Sequence, residues 1–559
     1  MLDELTAWGR SCGLKFNPEK SVAVVFTRRR KLPPKALVID GKEIQYKQSV
    51  PYLGVKLDSK LHWTPHINEK LDKTKRFLGN IAQITRKNWG PKPKLMRWAY
   101  LGVVRPMLCY GAMIWGHRAP ELEAKLRRIN RMAINTFANF PKSTPTRALE
   151  IMLDILPLHL FCEKEAIAAR TRLDKVIGLD WPGTNGKKTH SKSHLRHWQD
   201  RMMEHGLNIE EVDGCNIKKW NNAFKVNTES FSGATKHRVP TQFNVYTDGS
   251  KQNGRAGCGL VVYRGQRELC SESYHLPDHA TVFQAEVTAI QRAAEKLSGL
   301  SNTAVNFVKI LVDSRAAIMA LMNPSIKSRT VSRAVEALNT LADRTKSVTI
   351  VWVPAHKGHI GNERADVLAK AGAASNDPEI FTPIEKPVSA FKQELRTKIY
   401  ETWTKEWTQD NEAHHAKGFY CGPDARKAKY VYKLARLELG RFARIVTGHN
   451  NLNYFQSRIG LSRESRCRWC LRGNETILHF INECPRFVSF SRDMFLGNGP
   501  RANNAWSVRT LLDFSYIPGI NEAYEGSWTG SEVGAEMIND TLVSQPDTDE
   551  DLDETVMEV

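Results

Sequence analysis

At 559 residues the chain is too long for one hydrophobic core, so three or more folded units are expected. Its hydrophobic content of 41% and charged content of 25% are ordinary for a soluble globular protein, and no apolar run is long enough to span a bilayer. The net charge of +21 is not ordinary: no Lys or Arg follows Arg509, and the thirteen acids from Asp513 to Glu558 leave residues 1–509 carrying +34. A surface that basic attracts phosphate backbones and releases their counterions, so nucleic acid is the expected partner and no membrane is. The cysteines are scattered apart from Cys467, Cys470 and Cys484, and the acidic start Met1-Leu2-Asp3-Glu4 has no apolar run behind it. This usage is expected of a reduced, intracellular protein without a signal peptide.

Short apolar runs alternate with turns over the first 115 residues, as in Val22–Phe26 and Val50–Val55, and a helix is expected from His66 to Lys87. Residues 92–173 carry a helical pattern rich in Arg, Ala and Leu. A polar, basic stretch at 181–240 contains Gly183-Thr184-Asn185-Gly186 and reads as a linker. A compact α/β pattern then runs to about Ala374, followed by a basic helical stretch with Trp403 and Trp407. Beyond Trp528 the composition is acidic and free of aromatics, which predicts a disordered tail.

The chemistry concentrates in the α/β segment. Alternation in Phe243-Asn244-Val245-Tyr246-Thr247-Asp248 predicts a strand, with Asp248 on the face shared by Asn244 and Tyr246. Two further strands, Gly257–Tyr263 and Glu268–Leu276, complete an antiparallel meander. A helix over Val282–Leu297 places Glu286 among its apolar residues, a costly position unless something positive meets it. The strand Val305–Val312 delivers Asp313 at its C-terminal end, where functional groups of open α/β sheets gather. After the strand Val348–Val353, Asn362 suits an N-cap, which would put Asp366 in the first turn of a helix to about Ala374. Four carboxylates in these contexts suit two Mg²⁺ ions, or Mn²⁺, because hard cations take oxygen ligands. Such a pair activates a water and stabilises a leaving oxygen in an in-line displacement.

With those residues in place, 243–374 resembles a type 1 RNase H domain. The resemblance rests on Thr247-Asp248-Gly249-Ser250, Ala285-Glu286, Val312-Asp313-Ser314, His356-Lys357-Gly358 and Gly361-Asn362-Glu363-Arg364-Ala365-Asp366. It implies a five-stranded mixed sheet, metal binding by Asp248, Glu286, Asp313 and Asp366, and a part for His356 in proton transfer or product release. It also implies cleavage of the RNA strand of RNA–DNA hybrids, recognised through successive 2′-hydroxyls.

The flanks resemble non-LTR retrotransposon polyproteins of the jockey type. Gly13–Ser21 and Tyr52-Leu53-Gly54-Val55 are similar to the end of a reverse transcriptase palm, with Lys20 at the place of a family lysine near the incoming nucleotide. No adjacent Asp-Asp pair occurs in the chain, so a polymerase metal site is not expected. Downstream, Cys467-x2-Cys470-x8-His479-x4-Cys484 has the spacing of a tetrahedral Zn²⁺ site. Beside it, Trp469 and the nearby arginines could stack on bases, or Trp469 could cover the zinc core.

The expected organisation is therefore six parts. A truncated palm end and start of a thumb occupy 1–115, a helical connection and linker 116–239, and the RNase H domain 240–376. A basic helical linker at 377–445, a zinc module at 446–490 and an acidic tail at 491–559 follow. Two other readings share the same residues: a host-domesticated ribonuclease H, and a non-enzymatic nucleic-acid-binding remnant. The intact acids at all four positions speak against the second.

Overall fold

The computed structural model describes residues 2–27, 36–85, 89–118, 120–173, 194–208, 211–214, 218–219, 221–227, 242–300, 306–355, 357–496 and 507–525. The chain divides into two compact units, one of residues 1–139 and 145–439, the other of residues 140–144 and 440–559. The tail beyond residue 525 lies outside the described residues.

In the first unit, the N-terminal strands are shorter than the apolar runs suggested. Val22–Ala23 pairs with Gln45–Tyr46, and Ser49–Tyr52 forms a hairpin with Val55–Asp58. Leu53 and Gly54 turn that hairpin at φ 47° and 80°, the left-handed geometry a two-residue hairpin loop requires. The expected basic helix is present as α1 (Thr64–Ile84), with Ile67, Leu71, Thr74 and Leu78 buried along one face.

Helices α2 (Glu123–Ile134) and α3 (Leu158–Arg172) build an apolar core with Leu149, Ile151, Leu153 and Ile155 between them. Inside it, Tyr100 donates to the Asn130 carbonyl, and the Asn130 amide donates to Glu150. Helix α8 (Val388–Gln409) buries Phe391, Leu395, Ile399, Trp403 and Trp407, a stripe at four-residue spacing. It packs on α3, tied by His159 to Glu406 at 3.3 Å, and Arg147 reaches Asp410 at 3.2 Å. The segment expected to be a linker at 377–445 is thus partly core, because its tryptophans are inward-facing members of one apolar stripe.

The α/β segment forms a six-stranded mixed sheet. Its strands are β1 (Lys225–Asn227), β2 (Gln242–Gln252), β3 (Arg255–Arg264), β4 (Arg267–Leu276), β5 (Phe307–Val312) and β6 (Ser347–Trp352), in the order β4-β3-β2-β5-β6-β1. The first three neighbours pair antiparallel and the rest parallel. Helix α4 (Val282–Ser298) starts with a capping box, in which Thr281 and Gln284 exchange side-chain to backbone hydrogen bonds at 3.2 Å each. Helices α5 (Arg315–Met322), α6 (Arg329–Arg344) and α7 (Ile360–Ala374) complete the layer structure.

The sheet is one strand wider than the five expected. β1 comes from the stretch read as linker, too short and polar to show as a strand, and Phe224 beside it joins the sheet's core. Asp213, 7% exposed, caps α6 from far upstream, accepting from Ser328 Oγ at 2.8 Å and from Arg329 N at 3.0 Å. Downstream, the Thr382 backbone donates to His275, and Gln284 Nε2 donates to the Glu385 carbonyl at 2.9 Å. Segments on both sides of 240–376 therefore complete the fold.

Candidate metal-dependent active site

Asp248 stands on the central strand β2, and Gly249 after it decides what can approach. A Cβ at Gly249 would lie 2.3 Å from the Glu286 backbone nitrogen. Only a residue without a side chain lets α4 rest on the strand there, and that contact carries Glu286 to Asp248. β5 lies beside β2 in parallel register and ends one residue before Asp313. Ligand oxygens of Asp248, Glu286 and Asp313 lie within 4.8 Å of one another.

Asp248 and Glu286 are each 7% exposed, and one carboxylate oxygen of Glu286 has no hydrogen-bond partner among the described residues. Burial, then the charges of Asp313 and Asp366, raises the Asp248 pKa. Burial, then Asp248 and Asp313, raises that of Glu286. Carboxylates crowded in a low dielectric cannot all ionise without a counter-charge. A buried, unpartnered carboxylate oxygen beside two other acids is the donor set a divalent cation satisfies.

Asp366 is half-buried on α7, outside the three-residue cluster but near enough to shift Asp248, and its Oδ2 accepts from Lys370 Nζ at 2.6 Å. Its helix differs from the sequence expectation. α7 begins at Ile360 with His359 in the cap position, so Asp366 lies in the second turn, and Asn362 is inside the helix. The Asn362 amide instead donates to Asp313 Oδ2 at 3.2 Å, while its own carbonyl oxygen is buried without a partner among the described residues. The N-cap reading failed because Asn serves caps and buried polar networks equally well, and sequence does not distinguish them. Gly361 lets this turn sit close, since a Cβ there would be 2.3 Å from the Tyr246 ring. Trp352, at the end of β6, donates its indole N–H to the Asp313 carbonyl at 3.0 Å. The sequence offers Asn362 only as a helix cap and gives no signal for Trp352; the Gly-Asn-Glu-Arg run beside Asp366 was the available hint that Asn362 belongs to the site. His356 lies outside the described residues.

The second unit gathers Cys467, Cys470, His479 and Cys484, whose donor atoms lie within 4.8 Å of one another. Cys470 Sγ is 3.2 Å from His479 Nε2, and Cys467 Sγ is 3.9 Å from Cys484 Sγ. The other ring nitrogen of His479 meets Glu483 at 3.1 Å, a carboxylate that fixes the tautomer and orientation of a ligating imidazole. Glu475 is fully buried and holds the loop, accepting from Arg468 Nη2 at 2.7 Å and from the backbone N–H groups of Arg468 and Asn453. Trp469 is half-buried, with Arg486 3.9 Å over its ring and Phe487 edge-on at 6.2 Å. One indole face is therefore already covered, which favours its packing role over base stacking.

Residues 240–374 match the RNase H family. Among curated proteins, the chain is similar to a retrovirus-related Pol polyprotein from the type-1 retrotransposable element R1 of Nasonia vitripennis. The two are 24% identical over 165 residues, covering 28% of this chain and 49% of that one. It is also similar to the RNA-directed DNA polymerase from mobile element jockey of Drosophila melanogaster, 28% identical over 153 residues, covering 27% of this chain and 16% of that one. The chain thus spans less than half the length of these relatives. Among solved structures, similar chains include RNase H1 from Halobacterium salinarum, at 22% identity over 23% of this chain and 96% of that one, with a TM-score of 0.20. Another is LC11-RNase H1 in complex with an RNA/DNA hybrid, at 23% identity over 23% of this chain and 96% of that one, with a TM-score of 0.21. No helix among the described residues is long and apolar enough to cross a membrane.

Proposed function

Since residues 240–374 are an RNase H domain in a chain related to R1 and jockey retrotransposon polyproteins, we propose that it hydrolyses the RNA strand of RNA–DNA hybrids with two divalent metal ions. What supports this most is the grouping of Asp248, Glu286 and Asp313, with a buried Glu286 oxygen left unpartnered. Those three, with Asp366, would hold Mg²⁺ or Mn²⁺, which supplies an activated water and charge stabilisation at the leaving oxygen. The water oxygen bonds to phosphorus as the bond to the 3′ oxygen breaks, leaving a 5′-phosphate and a 3′-hydroxyl. Asn362 keeps the Asp313 carboxylate in one orientation throughout. His356 is assigned proton transfer or product release, by resemblance alone.

In the same reading, Cys467, Cys470, His479 and Cys484 hold a structural Zn²⁺, because three thiolates and one imidazole match its preferred donors. The test is a labelled RNA–DNA hybrid incubated with purified protein, with and without Mg²⁺, beside Asp313→Asn. Metal-dependent cutting of the RNA strand, abolished in Asp313→Asn, is expected. Binding without cutting would establish the non-enzymatic reading instead.

A further inference from the structure

We infer that Arg315, stacked on Trp352, grips a backbone phosphate of the substrate beside the carboxylate cluster. The inference rests on the proposed hydrolysis and names a contact that positions its substrate.

Arg315 follows Asp313 by two residues and opens α5, where Ser314 Oγ caps the helix by accepting from Ala317 N at 3.3 Å. The cap fixes the direction in which the chain leaves β5. Trp352 ends the neighbouring strand, paired with Val312, and its indole is anchored to the Asp313 carbonyl at 3.0 Å. The Arg315 guanidinium carbon lies 4.0 Å from the centre of that ring. One aromatic plane thus links the Asp313 backbone to the Arg315 cation.

The charge on Arg315 is otherwise unused. The side chain is exposed, and no ion pair to it is found among the described residues. By contrast, Arg292 pairs with Glu295 at 2.9 Å and Arg333 with Glu385 at 2.7 Å. Had Arg315 served to offset the clustered acids, it would pair with one of them rather than lie on an indole. Lying over the indole restrains the guanidinium, and its N–H groups have no partner among the described residues, so they can meet phosphate oxygens. Holding the fork in place beforehand also lowers the entropy lost when the anion arrives. A methionine or lysine would cover Trp352 comparably, so a covering role alone does not require the guanidinium.

The experiment compares wild-type protein with Arg315→Met and Arg315→Lys in steady-state cleavage of a short RNA–DNA hybrid over a series of salt concentrations. Arg315→Met should raise KM by about tenfold with kcat within about twofold, since the lost contact is made equally before and during reaction. The slope of log(kcat/KM) against log salt should become shallower by about 0.9, the value of one phosphate contact. Arg315→Lys should restore the slope but only part of the KM. An unchanged slope in Arg315→Met, or a fall in kcat at constant KM, would overturn the contact. Should the wild-type protein prove unable to cut hybrids, the hydrolase reading fails by itself. The same slopes, taken from hybrid binding without divalent ions, would then decide the Arg315 contact.

Discussion

The Asn362 side-chain amide donates to Asp313 Oδ2 at 3.2 Å, joining the first turn of α7 to the end of β5. Asn362 is 5% exposed, so this hydrogen bond is sheltered from water and restricts the Asp313 carboxylate to one orientation. Removing the amide in Asn362→Ala should slow hybrid cleavage by about 10–100-fold, the usual cost of losing a group that orients a metal ligand. The Mg²⁺ concentration giving half the maximal rate should rise as well. Asn362→Asp should be worse, because it adds a negative charge to a crowded acidic cluster. Rate measured against Mg²⁺ concentration checks both, and an unchanged metal requirement in Asn362→Ala would reject the orienting role.

Loss of the Asp313 carboxylate itself should be more severe. Asp313→Asn is expected to lower the cleavage rate by more than about 100-fold, exceeding the effect of groups that merely orient ligands. Circular dichroism should remain that of the wild type, because Asp313 sits at a strand end rather than in the core. A variant keeping a tenth of the rate would remove Asp313 from the metal ligands. His356→Ala should be milder, slowing turnover more than binding.

Glu150 supplies a pH dependence outside the nuclease site. It is 2% exposed, and burial raises its pKa to about 7, against the opposing effect of the Asn130 hydrogen bond. The folded state therefore keeps a proton that the unfolded chain releases once pH exceeds the ordinary carboxylate range. The stability associated with Glu150 is full below that range and declines as pH rises to about 7. Glu150→Gln, which keeps the shape and the acceptor for Asn130, removes the decline. Its advantage over wild type should be near zero at acid pH and grow to at most about 3 kcal/mol above neutrality. Chemical denaturation at both ends of the range measures this, and an advantage independent of pH would contradict it.

Asp213 tests how far the nuclease fold extends upstream. Its carboxylate supplies the side-chain cap that Ser328, in the cap position of α6, does not make itself. Asp213→Ala should destabilise α6 by about 1–2 kcal/mol, as for other lost N-caps. Amide hydrogen exchange should quicken in the first turn of α6 specifically. Uniform protection across the helix in this variant would show that residues upstream of 240 contribute nothing there.

The cysteine cluster should carry one tightly bound Zn²⁺ per chain, lost in Cys470→Ser together with order in the surrounding loop. Glu483→Gln should bind zinc about 10–100-fold more weakly while folding normally, since the Glu483 side chain is exposed and its hydrogen bond goes to His479. Competition with a chelator reads both values. Cleavage of short hybrids should survive either change, because the sheet has its own apolar core.

The sequence by itself determined five of the six strands of the central sheet and the grouping of Asp248, Glu286 and Asp313 in the candidate site. The alternation around Asp248, the meander that follows, and the helical spacing around Glu286 are local patterns that burial imposes on any chain folding this way. The clustering of Cys467, Cys470, His479 and Cys484 was legible for the same reason: short spacings leave few alternative geometries. Only tertiary structure decided the rest. The three-residue strand Lys225–Asn227 exists because the edge of β6 offers hydrogen bonds, not because its own residues prefer extension. Asn362 became an orienting donor rather than a helix cap because α7 starts at Ile360 and Gly361 lets it approach Tyr246. Arg315 and Trp352, far apart in sequence, face each other because β5 and β6 are parallel neighbours. A side chain's type and local spacing are written in the chain, but its partner depends on which elements pack together, and that is a property of the whole core.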